Sequence, residues 1–322
     1  MRKNESFLNK VMANREFNIL ALVVFVIIIL SIASPNFLTI RNFVNLGINL
    51  SVDSILVIGM TMVLATGGVD LSIGSILGLA CMITGICHVM LGLNIWLSCL
   101  IAIIFAGILG AINGFMIGKV KITPLIVTLA MMGMARGLTY VFTEGASVAV
   151  TEEPEAFLML GKGNILGFPV IMIIALILII IFDILMRNMM CFRKMYYIGS
   201  NQKASRLSGI NVFKTKMFTY IIMALFCGIA GALTLARFTV ATPKAGLGAE
   251  MRIISACVIG GASLSGGVGT VLGSLAGLTL LSIVNNGLIL LDVSIYWQDF
   301  ISGAILLLAV TVDQLSSRKR SN

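Results

Sequence analysis

Charge is what this sequence has least of. Only 11% of its 322 residues are Asp, Glu, Lys or Arg, less than half of the roughly one quarter usual in a soluble domain. An ordinary water-soluble fold is thereby excluded. Histidine occurs once, at His88, so a histidine-built metal centre is not expected. Six cysteines stand at positions 81, 87, 99, 191, 227 and 257. They show no paired CxxC spacing and most lie in apolar runs, so they read as small apolar residues, with neither metal ligation nor disulfides expected. Clustered histidines, paired carboxylates and a nucleophile beside a base are all missing, which leaves no catalytic constellation.

What fills the chain is apolar: 59% of residues, at a mean hydropathy of +1.08. These residues fall into runs near the twenty or so that a helix needs to cross hydrocarbon at its 1.5 Å rise per residue. The pattern predicts an all-α polytopic membrane protein of about ten transmembrane helices, at 17–33, 43–66, 73–91, 95–118, 122–142, 168–186, 216–237, 251–264, 268–287 and 295–313. The runs at 73–91 and 251–264 are short or interrupted by glycine, and either can be a half-helix that turns back.

The net charge of +9 points to the membrane and not to nucleic acid once the basic residues are placed. Sixteen of the 22 lie in four segments: Arg2 to Arg15, Lys119 and Lys121, seven between Arg187 and Lys216, and Arg318 to Arg320. All four fit on one side, the cytoplasmic one by the positive-inside rule. Glu144, Glu152, Glu153 and Glu155 gather in the longest loop of the first half, which alternation puts outside. Both termini then point inward. Residues 1–33 resemble a signal peptide but read better as an uncleaved first span, because the run is long and further spans follow at once. The chain is expected to be one transmembrane domain over 1–322, with a first half 1–186, a cytoplasmic loop 187–215 and a second half 216–322.

Two stretches repeat each other. GGVDLSIG from Gly67 to Gly74 matches GGASLSGG from Gly260 to Gly267, and GSILG from Gly74 matches GTVLG from Gly269. A weaker echo pairs Asn113-Gly114 with Asn286-Gly287. Duplicated, glycine-interrupted apolar segments point to a transport pathway at a repeat interface. The predicted spans put the two Gly-Gly stretches in the same orientation and the two Asn-Gly pairs in opposite ones, so the repeat is partial or the spans near Met251 are wrong. GxxxG spacings at Gly269/Gly273/Gly277, Gly74/Gly78, Gly114/Gly118 and Gly133/Gly137 mark close helix contacts, read as packing inside the bundle before a dimer seam.

The candidate pathway comprises Gly67, Gly68, Asp70, Ser72 and Gly74 in the first copy and Gly260, Gly261, Ser263 and Ser265 in the second. An ionisable group such as Asp70 at membrane depth is functional by default. It can equally cap the helix that follows, and the two roles are compatible. Asn113 and Asn286 can hydrogen-bond a hydroxylated solute or bridge helices, with bridging favoured. Asp53, Arg136, Asp183, Arg237, Asp292 and Asp299 mostly fall near predicted span ends, where snorkelling or capping explains them.

Residues 197–211 are too patterned for a mere connector. Asn201 can cap a short helix from Gln202 to Leu207 that Gly209 ends. Such a helix can lie on lipid headgroups or dock in a partner's groove.

Three stretches in order, TGGVDLSIGS from Thr66, GSNQKASRLSGIN from Gly199 and VIGGASLSGGVG from Val258, resemble the permease subunits of bacterial ABC sugar importers of the ribose, xylose, arabinose and galactose type. Asn286-Gly287 followed by Tyr296-Trp297-Gln298 extends the likeness over nearly the whole chain. The resemblance implies a type II-like permease of the inner membrane, working as a homodimer with a second copy. It would receive a ribose-like monosaccharide from a periplasmic binding protein and be driven by a separate ATPase subunit, with ATP and Mg on that partner and no cofactor in this chain. Asn201, Gln202, Lys203, Ala204, Ser205, Arg206 and Gly209 would then form the coupling helix. Lys203 departs from the commoner pattern, where many relatives look acidic or neutral. No GxxxxGK[ST] phosphate loop is present, in keeping with ATP being handled elsewhere. Autoinducer-2 and nucleosides stay open as solutes. An ion-coupled secondary transporter is the rival of another class, with Asp70 its one good proton carrier.

Overall fold

The computed structural model describes residues 15–151, 154–294 and, in part, 297–311. Arg2, Lys3, Lys10, Glu152, Glu153, Tyr296, Asp299 and Arg318 to Arg320 lie outside the described residues.

The chain is built almost entirely of helices: α1 (Arg15–Ala33), α2 (Ile40–Ala65), α3 (Ile73–Val89), α4 (Ile95–Phe115, continued by a π turn Met116–Val120), α5 (Pro124–Thr143), α6 (Glu155–Lys162), α7 (Val170–Asn188), α8 (Met190–Ser200), α9 (Gln202–Leu207), α10 (Val212–Phe238), α11 (Ala249–Ile259) and α12 (Val271–Leu290). Described positions between 297 and 311 are helical as well. Local chemistry sets the starts. The Thr39, Asn94, Asn211 and Thr270 side chains accept from backbone N–H groups of α2, α4, α10 and α12, and Pro124 opens α5, where its missing N–H costs nothing.

Six helices among the described residues are long and apolar enough to cross a membrane: α2, α4 with its π turn, α5, α7, α10 and α12. Shorter apolar stretches lie at Ile19–Ala33 and Ile73–Val89. A full span at 251–264 is not found. There α11 has 11 residues, about 16 Å of helix against a hydrocarbon core of roughly 30 Å. It stops where Gly260 and Gly261 turn the chain, because glycine at Gly261 holds a φ of +93°.

α2, α3 and α10 form the centre, buried on most sides, while α1, α4, α5 and α7 each leave one apolar face exposed. Small residues draw α4 against α10: β-carbons at Gly110, Gly114 and Gly118 would collide with Tyr220, Met217 and Phe213. α12 meets α11 in the same way, Gly273 lying on the Gly260 carbonyl and Gly277 on that of Ala256. These contacts are internal packing, whereas Gly133 and Gly137 face open space.

Two two-stranded sheets complete the fold. β1 (Val148–Ala149) pairs antiparallel with β4 (Val240–Ala241), and β2 (Asn164–Ile165) with β3 (Phe168–Pro169). The β1–β4 pair ties the long connection after α5 to the segment leaving α10.

Candidate translocation pathway

Three stretches of non-helical backbone pack against the helices of the bundle, at 66–72, 239–248 and 260–270, each partly buried. Backbone without helical partners is tolerated at membrane depth only where protein or a water-filled path satisfies it. The segment 239–248 runs beside α3, with Ala241 at Gly85 and Gly246 against Gly74. Arg136 holds it, its Nη1 donating to the carbonyls of Pro243 at 2.5 Å and Ala245 at 2.8 Å. Arg136 stands at the thirteenth of the 20 residues of α5, not near its end as the sequence suggested. Its long side chain reaches inward to carbonyls instead of snorkelling out.

The predicted repeat is visible as matching turns. In the first copy the Ser72 N–H and hydroxyl both donate to Asp70 Oδ1, at 2.8 and 2.5 Å. In the second, the Ser265 N–H donates to Ser263 Oγ at 3.3 Å. Each is a side-chain turn closed two residues on. Asp70 and Ser72 are buried, at 1% and 0% exposed, and Asp70 braces the start of α3 through Ser72. Ser265 is exposed. Asn113 on α4 donates to Ser72 Oγ at 3.1 Å, while its Oδ1 is buried with no hydrogen-bond partner.

Both copies meet the segment after α7. A β-carbon on Gly266 would press on Gly67 and Gly199 at 2.8 Å, and one on Gly199 would overlap the Ala65 carbonyl and the Gly267 N–H. The Gly267 N–H donates to the Ala65 carbonyl at 3.0 Å. Tyr196, one turn back on α8, donates its hydroxyl to the Gly269 carbonyl at 2.8 Å, and burial pushes that phenol up to about 12. Gly68 lies against the Tyr220 hydroxyl, which donates to the Val69 carbonyl at 3.3 Å.

Asn286 is not part of this centre. It exchanges hydrogen bonds with Asn42 of α2, at 3.0 and 2.8 Å, so it bridges helices. The Asn-Gly echo therefore has no structural counterpart, and the repeat consists of a helix, a Gly-Gly turn and a second helix.

The predicted short helix is present. Asn201 Oδ1 accepts from the Ala204 N–H at 3.0 Å to start α9, and Gly209 ends it at a φ of +79°. Gln202 is partly buried beside Lys216 Nζ, 3.5 Å away; Lys203, Ala204 and Arg206 are exposed, Ser205 is buried and Leu207 is 91% exposed.

A polar cavity of about 370 Å³ lies between α2, α10 and α12. Arg252 reaches Asp53 through two hydrogen bonds, at 2.7 and 3.1 Å, and Arg237 Nη2 donates to Asn49 Oδ1 at 2.6 Å. Asp53 is the fourteenth of the 26 residues of α2, so the span-end reading fails for it. Its position near the middle of an apolar run was the signal for a partner. Arg237 does stand at the end of α10, and Asp183 pairs with Arg187 one turn on, at 2.7 Å.

A bundle of helices long and apolar enough to cross a membrane, with glycine-built turns packed between them and a cavity lined by charged and polar side chains elsewhere in the bundle, is the construction of a polytopic membrane protein. Residues 42–310 match the family described as branched-chain amino acid transport system / permease component, and the chain belongs to that family. It is 39% identical over 302 residues to the ribose import permease protein of Escherichia coli K12, covering 92% of each chain. It is 38% identical over 292 residues to the ribose import permease protein of Bacillus subtilis 168, covering 90% of each. With the L-arabinose transport system permease protein of Escherichia coli K12 it shares 35% over 301 residues, 93% of this chain and 91% of that one. No solved structure matches.

Proposed function

We propose that this chain is the membrane-spanning subunit of an ATP-driven importer of a ribose-like monosaccharide. The observation that carries the reading is end-to-end similarity to ribose and arabinose permeases, over nine tenths of each chain. A binding protein outside delivers the sugar, and a separate ATPase seats on α9, where Leu207 is 91% exposed. The basic loops face the cytoplasm and the protein resides in the bacterial inner membrane. Two copies form the pathway, and the open face of α5 beside Gly133 and Gly137 leaves room for close contact with the second.

Alternating access follows from the way α8 joins its neighbours. Movement of α9 is carried by α8 to Gly199, which touches both Gly-Gly turns. A shift there displaces both copies of the repeat together and opens the path to one side or the other.

The test is reconstitution of the permease with its ATPase and binding protein in vesicles. ATP-dependent accumulation of D-ribose or L-arabinose supports the reading. Accumulation by the permease alone after a pH or sodium step overturns it in favour of an ion-coupled carrier.

A further inference from the structure

We infer that the cavity between α2, α10 and α12 is a binding site for a neutral, polyhydroxylated solute of monosaccharide size, so that the permease holds its cargo weakly in transit. The inference rests on the transport reading above and adds a site to it. The cavity volume, about 370 Å³, falls within the roughly 300–1,000 Å³ of small-molecule pockets. Asp53 lies about 20 Å along α2 from its first residue, a depth at which charged groups belong on a water-filled path or against protein.

The charges on the wall are engaged. Asp53 takes two hydrogen bonds from Arg252, and Arg237 binds Asn49 while its guanidinium lies 4.7 Å over the Phe238 ring. Asp53 and Arg252 offset each other, and the one remaining positive charge, on Arg237, is turned to Asn49, the Ile48 carbonyl and the Phe238 ring. Two neutral groups are different. Asn285 and Ser282 line the cavity one turn apart on α12, and neither side chain has a hydrogen-bond partner among the described residues. An amide offers donors and an acceptor and a hydroxyl offers both, which suits vicinal hydroxyls. Phe238 lines the same cavity and adds apolar surface to its wall, one ring face being covered by the Arg237 guanidinium. So few free partners imply millimolar binding, weak enough for release.

The permease–ATPase complex in lipid nanodiscs, without binding protein, should bind radiolabelled D-ribose saturably in the millimolar range. Asn285→Leu should weaken that binding by about fivefold to tenfold, the effect of one hydrogen bond. As a second variant, Asn285→Cys should react with a small water-soluble thiol reagent, and D-ribose should slow the reaction. Absence of saturable binding in the unsubstituted complex, unchanged binding in Asn285→Leu, or labelling of Asn285→Cys that ribose does not slow overturns the site. Stronger protection by ribose 5-phosphate than by ribose overturns its assignment to a neutral solute. Uptake with the binding protein, measured on the same preparation, tests the transport reading separately and can persist when the site fails.

Discussion

Asp53 and Arg252, 199 positions apart in sequence, join α2 to the short helix α11 by two hydrogen bonds. The pair stands where the first half of the chain meets the half-helix of the second. It therefore fixes how α11 approaches the bundle, and with it the Gly-Gly turn at the other end of α11.

Removing one partner should hurt more than removing both. Arg252→Leu leaves the Asp53 carboxylate beside apolar helices, and truncating one member of a buried pair costs roughly 3–5 kcal/mol. Water reaching Arg252, whose side chain is 38% exposed, reduces that figure. The expected result is a clear fall in the thermal midpoint of the detergent-solubilised protein. In Asp53→Leu/Arg252→Leu the midpoint should recover in part. Additive losses would show that the two residues act independently.

Gly199 should be the least substitutable residue of α8. A methyl group there meets the Ala65 carbonyl and the Gly267 N–H, both backbone atoms that cannot rotate away. Gly199→Ala should lower uptake per ATP hydrolysed by about tenfold, the effect of a 1.4 kcal/mol penalty on the moving contact. Paired measurements of sugar uptake and phosphate release in vesicles decide this, and an unchanged ratio would leave the junction without a role in coupling.

At Gly209 a backbone φ of +79° excludes proline, whose ring fixes φ near −65°. Proline would also remove the N–H that donates to the Arg206 carbonyl at 3.0 Å. Gly209→Pro should therefore uncouple ATP hydrolysis from uptake while leaving the protein in the membrane. Gly209→Asn, which tolerates the left-handed conformation, should retain most coupled uptake. Coupled uptake in the proline variant removes α9 as the coupling element.

Tyr196 gives a pH test at the same junction. Its phenol is pushed up to about 12 by burial, from an ordinary value of 10. Between those two values the unfolded chain has released the proton and the folded chain still holds it. Stability from this group is thus complete below pH 10 and falls as pH rises toward 12. Tyr196→Phe should lose about 1 kcal/mol at neutral pH with the hydrogen bond to Gly269, and should show a shallower loss between pH 10 and 12. Parallel pH curves for the two proteins would place the alkaline loss elsewhere.

Much of this arrangement could be read in the sequence because it is local. Helical runs follow from unbroken apolar composition, and α9 from an asparagine six residues before its last helical residue and a glycine two residues past it. The turn at Asp70–Ser72 follows from a carboxylate two residues before a serine. What escaped depends on distant partners. The run at 251–264 is short and interrupted by glycine, which left a half-helix as one of its readings; what composition could not fix is that α11 stops at Ile259. Asp53 stands inside an apolar run and Arg136 well inside another, which signals partners, but which partners, Arg252 for the one and the Pro243 and Ala245 carbonyls for the other, depends on segments more than a hundred residues away. Asn285 and Asn286 differ by one position, about 100° around α12. Both border the cavity, but Asn286 is held by Asn42 while the Asn285 side chain has no hydrogen-bond partner among the described residues, and only the packing of α2 distinguishes them.

Asp70 separates the two kinds of transporter. Its Oδ1 accepts from the Ser72 N–H and hydroxyl, and an asparagine side-chain oxygen can accept both bonds in the same place. A structural brace should therefore survive Asp70→Asn, with ATP-driven uptake within a few-fold of the original protein. Asp70→Leu removes the acceptor and leaves the buried Ser72 N–H without its partner, which costs roughly 1–3 kcal/mol and should loosen the start of α3 and lower uptake. A proton carrier gives the opposite pattern, since asparagine cannot release a proton and would stop transport as completely as leucine. Uptake assays on the two variants in the same vesicles decide between them: activity in Asp70→Asn alone leaves Asp70 a brace, and its loss in both makes the carboxylate part of the transport chemistry.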